Sequence, residues 1–179
     1  MPNAISQVRR EIKHTGSMKA KIAILLYRLA TLYRSRNPFY KLLGIPFVIL
    51  NKLINECLFC VELPWQTRIG YGLKLYHPHC IVLNRGTVIG ENCILRQGAT
   101  IGSLTDSEGR EGASPVIGNN VEFGAHVVVI GPVTLGDNVK IGAGTVVTKD
   151  LAHRSGSGRP AIPGVAYSSR DARITVRKA

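Results

Sequence analysis

Five histidines are the residues of this chain best suited to moving protons near neutrality, and their settings differ. His77 and His79 stand in Leu75-Tyr-His-Pro-His-Cys80, at places where neighbouring stretches use glycine and asparagine. An imidazole there is either a solvated surface group or a functional one. His126 falls at a turn and reads as an exposed or interface side chain, while His14 and His153 lie in a polar arm and a linker. His77, His79 and His126 can be drawn as a zinc triad, but the wider histidine pattern of such a site is missing. Cys57-x-x-Cys60 lacks the second pair that would make it a zinc site, and Cys57, Cys60, Cys80 and Cys93 read as reduced thiols.

These residues are carried by a repeat of six. Ile117-Gly-Asn-Asn-Val-Glu, Phe123-Gly-Ala-His-Val-Val, Val129-Ile-Gly-Pro-Val-Thr, Leu135-Gly-Asp-Asn-Val-Lys, Ile141-Gly-Ala-Gly-Thr-Val and Val147-Thr-Lys-Asp-Leu-Ala follow one another without a slip. Upstream, Ile69, Leu75, Ile81, Ile89, Leu95 and Ile101 extend the pattern. The first place is large and aliphatic, the fifth small or β-branched, and the places between hold turn residues that accept positive φ. A hexad therefore makes a short strand and a corner; three close a triangular coil, and stacked coils pair as parallel strands. An α/β sheet is the alternative, but the hexads leave no room for crossover helices. The expected fold is mainly β: a left-handed parallel β-helix over 61–152, behind an N-terminal arm and α-helical cap (1–60) and before a linker and basic tail (153–179).

The repeat is interrupted twice. Ile81 and Ile89 are eight apart, with the extra residues near Asn84-Arg85-Gly86, and Ile101 and Ile117 are sixteen apart. The longer interruption, Ser103 to Ser114, is polar and glycine-rich and reads as a loop thrown out from one corner. In solenoids such insertions tend to sit on the working face.

A net charge of +12 calls for an anionic partner. Nucleic acid is a poor fit, because no aromatic residues interleave the basic ones and no nucleic-acid motif is present; an anionic cofactor or a membrane surface fits better. Residues 1–17 read as a loose polar arm without a secretory pattern, so the expected location is the cytoplasm, with peripheral contact at the inner membrane face. From Met18 to Tyr33, Ile22, Leu25, Leu26, Leu29 and Leu32 follow helical spacing, and Asn37-Pro38 ends that helix. Phe39 to Phe59 is more apolar but is expected to break at Gly44-Ile45-Pro46, leaving a helix from Pro46 to Cys57 too short and polar to span a bilayer. The helical pair would cover the open end of the β-helix, lean on an anionic membrane, or both.

Glu62-x14-His77, Ile81-Val, Gly90-Glu-Asn, Gln97-Gly-Ala-Thr-Ile-Gly102, Pro115-x-Ile117 and Ile141-Gly-Ala-Gly-Thr-Val-Val147 resemble the hexapeptide-repeat acyltransferases of the serine acetyltransferase type. With Tyr27-Arg-Leu-Ala and Ile54-Asn-Glu-Cys-Leu-Phe59, the resemblance is nearer to the colanic-acid-type exopolysaccharide O-acetyltransferases. It implies direct acetyl transfer from acetyl-CoA, without a metal, in a homotrimer whose sites lie between subunits. His77 falls on the catalytic histidine of that family and Glu62 on the carboxylate of its dyad. The resemblance further implies an oxyanion donor near Gly102 and Ser103, and a CoA groove past Ala125, Ala143, Thr148 and Lys149, with Lys140 and Lys149 near its phosphates. A neutral imidazole suits the task, because a sugar hydroxyl must lose its proton as it attacks a thioester, and a carboxylate behind the ring would fix its tautomer.

Two departures bear on the acceptor. Tyr76 stands where serine acetyltransferases carry an aspartate, and Ser114 where they carry a second histidine. L-serine is therefore disfavoured, and Tyr76, Arg96 and Arg110 suit a sugar or polysaccharide acceptor instead. The expected function is O-acetylation of a sugar hydroxyl in a surface or exopolysaccharide precursor; serine O-acetylation and a non-catalytic trimeric scaffold are the alternatives.

Overall fold

The hexads fold because their first and fifth places have only one dry place to go. A computed structural model describes residues 3–152, 165–167 and 174–175. In it Leu95, Ile101, Phe123, Val129 and Ile141 from first places, and Cys93, Ala99, Val121, Val127 and Val139 from fifth places, are fully buried in one continuous column. In chain order the strands are β1 (Val61–Glu62), β2 (Arg68–Ile69), β3 (Lys74–Tyr76), β4 (Ile81–Leu83), β5 (Val88–Ile89), β6 (Ile94–Arg96), β7 (Thr100–Gly102) and β8 (Val116–Ile117). They continue with β9 (Glu122–Phe123), β10 (Val128–Ile130), β11 (Thr134–Leu135), β12 (Lys140–Ile141) and β13 (Val146–Val147). Three faces result: β1-β4-β7-β10-β13, β2-β5-β8-β11 and β3-β6-β9-β12, all parallel. The chain is a left-handed parallel β-helix of about four turns.

Corners fall where φ turns positive, at Asn92, Gly98, Asn120, His126, Asn138 and Gly144 in the fourth places. Second-place glycines answer a different need: a Cβ on Gly124 would lie 2.5 Å from the Ala143 nitrogen in the next rung. Both interruptions of the repeat fall at one corner, between the first and second faces. Leu83 and Val88 flank the short one, Gly102 and Val116 the long one, and Gly86 sits directly under Ser114.

Residues 3–17 are not a loose arm. Helix α1 (Ala4–Lys13) begins where the Asn3 side chain accepts from Ile5 N, and its Glu11 is buried. Glu11 holds Arg28 of helix α2 (Met18–Ala30) through two hydrogen bonds of 2.8 and 2.9 Å and accepts from Leu73 N at 2.8 Å. Its polar composition hid this helix, although Ile5, Val8 and Ile12 follow helical spacing; Glu11 is its buried residue and ties it to the next helix. Arg28 also donates to the carbonyls of Ile69 and Gly70, Tyr27 to that of Thr67, and Arg34 to that of Thr67. The edge of β2, which has no strand below it, is satisfied by these side chains.

Nor does the second helical segment break at Gly44-Ile45-Pro46. After a 3-10 turn (Thr31–Arg34), Asn37 caps helix α3 (Pro38–Leu50), which runs through all three residues and continues as a π-helical stretch, Asn51–Leu58. Gly44 acts as a notch: any side chain there would press on the Tyr33 backbone, 2.5 Å away. Asn51 and Asn55 are buried and bond to the carbonyls of Leu63 and Ala23, fixing α3 to the first rung and to α2.

At the other end, strand β14 (Val165–Tyr167) pairs antiparallel with β12, and β15 (Ile174–Thr175) with β14. The expected linker from Arg154 to Pro160 lies outside the described residues. Burial pushes the Cys93 thiol up to about 11, whereas Cys57, Cys60 and Cys80 are exposed. Iodoacetamide should therefore label three cysteines of the native protein and four after denaturation, counted by intact mass; a fourth adduct under native conditions would contradict this packing.

Candidate functional site

His77 and His79 occupy the corner between the third and first faces, after β3 and before β4. This corner departs from the fourth-place rule, as does Gly131 before Pro132: φ is positive at His77 (50°) and Cys80 (50°), and the fourth-place Pro78 is buried. A non-glycine residue in this region costs on the order of 1 kcal/mol, and here the cost holds an exposed imidazole on the surface. Its ring forms no hydrogen bond with any described residue. Above it the same edge continues through Gln97-Gly98, Ala125-His126 and Ala143-Gly144, with Gly98 N donating to His79 O, His126 N to Gln97 O and Gly144 N to Ala125 O. The His126 ring lies over Gly98, where a side chain would collide with it. His77, Ala125 and Ala143 thus share one edge of the prism.

Glu62 lies on the outer side of β1, in register with Val82 of β4. It is exposed and forms no hydrogen bond with His77 within the protomer. Its charged neighbour is Glu56, whose carboxyl is raised first by burial and then by the Glu62 charge.

Gly102, Ser103, Thr148 and Lys149 lie at the opposite end of the first face, on the corner that carries the loop. A bridge between Thr105 and Glu111 folds the loop on itself. Glu111 binds Asn84, Ser103 (2.9 Å) and Arg85 (3.0 Å), and these contacts hold its carboxyl below the usual carboxylate range. Arg110 is spent within the loop on Asp106 (2.9 Å) and Glu108 (2.7 Å). Lys149 is exposed and forms no ion pair with a described residue.

The remaining candidates share the third face. The Arg96 guanidinium lies 5.5 Å from the Tyr76 ring centre and 2.8 Å from Glu122, which also meets Lys140 at 3.4 Å. Burial works to raise the Glu122 carboxyl, but the hydrogen bond and charge of Arg96, followed by Lys140, outweigh it and hold it low. Arg96 and Lys140, expected in acceptor and CoA subsites respectively, are joined by one carboxylate that sequence reasoning missed. The signal was available: Glu122 and Lys140 are eighteen residues apart, one full rung. Among the described residues no group of His, Cys, Asp and Glu is arranged to hold a metal ion.

Residues 114–149 match the family described as "Bacterial transferase hexapeptide (six repeats)". Over 138 residues the chain is 36% identical to a protein of Escherichia coli (strain K12) provisionally named colanic acid biosynthesis acetyltransferase WcaB, covering 75% of this chain and 83% of that one. The chain belongs to the hexapeptide-repeat acetyltransferases. This acetyltransferase is also 33% identical, over 131 residues, to the serine acetyltransferase of Helicobacter pylori (strain ATCC 700392 / 26695), covering 72% of this chain and 71% of that one. Its fold superimposes on Neisseria gonorrhoeae serine acetyltransferase (CysE) with a TM-score of 0.63 at 30% identity, over 87% of this chain and 59% of that one. A serine acetyltransferase in complex with CoA superimposes with a TM-score of 0.57 at 25% identity, over 76% of this chain and 55% of that one. This acetyltransferase therefore spans little more than half of those two solved chains.

Proposed function

We propose that this acetyltransferase moves an acetyl group from acetyl-CoA to a sugar hydroxyl of a surface or exopolysaccharide precursor, in grooves between the protomers of a homotrimer. The observation that carries the reading is the division of the candidate residues between two corners. His77, Ala125 and Ala143 lie at one end of the first face, and Gly102, Ser103 and Lys149 at the other. Strands of three residues at about 3.3 Å each put roughly 10 Å between those ends, too far for one acetyl group to meet both. A neighbouring protomer that brings its loop corner against the His77 corner would complete the site.

In that groove His77 takes the hydroxyl proton as the oxygen adds to the thioester carbonyl. The imidazolium then returns the proton to the sulfur as the carbon–sulfur bond breaks, leaving an ester and free CoA. Glu62 steadies the ring, and a backbone N–H near Gly102 and Ser103 meets the transient oxyanion. Alanine corners at 125 and 143 admit a pantetheine arm closely, and Lys149 is the cation best placed for its phosphates, since Lys140 is engaged by Glu122. Acetyl-CoA supply places the reaction in the cytoplasm, where a lipid-linked precursor would present its sugar at the inner membrane face.

The relative named for colanic acid biosynthesis supports a saccharide acceptor, and those named serine acetyltransferase support L-serine. Tyr76 and Ser114, the latter bonded to Asn84 at 3.0 Å, weigh toward the saccharide. Thiol release from acetyl-CoA is expected with an exopolysaccharide oligosaccharide and not with L-serine alone; release with serine alone would reverse the assignment. A scaffold without activity would bind no acetyl-CoA, so a saturable calorimetric isotherm excludes it.

A further inference from the structure

One face of the molecule has no use in the reaction. Along α3 and its π-helical extension, Phe39, Leu42, Leu43, Ile49, Leu50 and Leu53 recur at the three- and four-residue steps of a single helical stripe. All are exposed, Phe39 and Leu42 at 68% and Leu53 at 55%. The opposite side of α3, with Gly44, Asn51 and Asn55, is the one that packs inward. Soluble surfaces rarely leave so continuous an apolar strip uncovered. Beside it, an apolar cavity of about 780 Å³ between α1 and α2, with Tyr40 of α3 in its wall, extends the greasy surface.

The charges around the strip are mostly of one sign. Between Ile12 and Asn55 the chain carries Lys13, Lys19, Lys21, Arg28, Arg34, Arg36, Lys41 and Lys52 and not one Asp or Glu. Of these, Arg28 is neutralised by Glu11, and Lys52 has the Glu56 carboxylate as a charged neighbour. A second copy laid on this face would set cation against cation. The chain's own tail is an equally poor cover, because residues 153–179 hold six basic side chains against the single acid Asp171. No helix among the described residues is long and apolar enough to cross a membrane. Apolar residues flanked mainly by cations are what an anionic bilayer surface recognises.

We propose that the outer stripe of α3 docks on an anionic phospholipid surface, sinking Phe39, Leu42, Ile49 and Leu53 among the acyl chains while Arg36, Lys41 and Lys52 meet the headgroups. This identifies the partner as a lipid surface and the docking element as α3, rather than the charged side of α2. It does not rest on the catalytic reading, and His77→Ala should dock like the parent protein.

Flotation of the full-length protein with vesicles tests it. The protein should float with phosphatidylcholine vesicles containing phosphatidylglycerol and stay behind with phosphatidylcholine alone, and high salt should weaken the binding. The double variant Leu42→Glu/Leu53→Glu should bind at least about tenfold more weakly with unchanged circular dichroism and acetyl transfer, since both side chains already face solvent. Failure of the parent protein to float with phosphatidylglycerol vesicles would overturn the proposal, as would undiminished flotation of the variant. A fall in the variant's sedimentation mass, with no flotation of the parent, would assign the stripe to contact between copies and also overturn it.

Discussion

Replacing His77 by alanine should lower kcat by at least about a hundredfold while acetyl-CoA still binds and the sedimentation mass is unchanged. On the proposed mechanism the imidazole is the only group that removes the hydroxyl proton, so its loss falls on the chemical step rather than on cofactor affinity. The structure lets the experiment be read cleanly, because the ring is exposed and bonds to no described residue. The backbone is the complication: φ at His77 is 50°, and alanine is less at ease there than histidine. His77→Asn removes that ambiguity, since asparagine tolerates the left-handed region. Both variants should lose activity to a similar degree, measured as thiol release from acetyl-CoA in the presence of acceptor. Turnover near that of the parent in His77→Asn would end the assignment of the base.

Glu11→Ala should be the most damaging single substitution in the helical cap. The Glu11 and Arg28 side chains are 1% and 9% exposed, and Glu11 also holds the Leu73 N–H. Alanine would leave a buried guanidinium without its counter-charge and one strand-edge donor without an acceptor. Breaking such a pair costs about 3–5 kcal/mol, and at roughly 2–4 °C per kcal/mol for a domain of this size the midpoint should fall by on the order of ten degrees. Thermal unfolding followed by circular dichroism measures it. The paired change Glu11→Leu/Arg28→Met should recover much of the loss, because the expense lies in a lone charge rather than in the missing pair. A Glu11→Ala midpoint within about a degree of the parent would mean that the pair is solvated in solution.

The β-helix was legible because its rule is local. A first-place isoleucine can only point inward, so Ile89, Leu95, Ile101 and their successors set the register without help from distant residues. The helical cap obeyed no such rule. Helix α1 depends on Glu11 meeting Arg28 seventeen positions away, and nothing in the composition of a polar arm announces that. Gly44 and Pro46 read as breakers because their usual cost was counted without the close helix contact that Gly44 permits. Among the candidate residues, His77 stood out as an expensive residue in a glycine-rich pattern, and its φ of 50° shows the cost. The contacts of Arg96, Lys140 and Arg110 were hidden because exposed cations take whichever acid the fold brings near, and spacing along one hexad does not tell which.

The widened corner of the prism has one more implication. A rung touches only those immediately above and below, so length added at 84–86 or at 103–114 is absorbed where it emerges and leaves the aliphatic column undisturbed. Selection could therefore redraft the outer part of this protrusion, lengthening it or changing its charges, without retuning the opposite edge where His77 stands. The fold thus lets length and charge vary at one edge while the register of the other stays fixed.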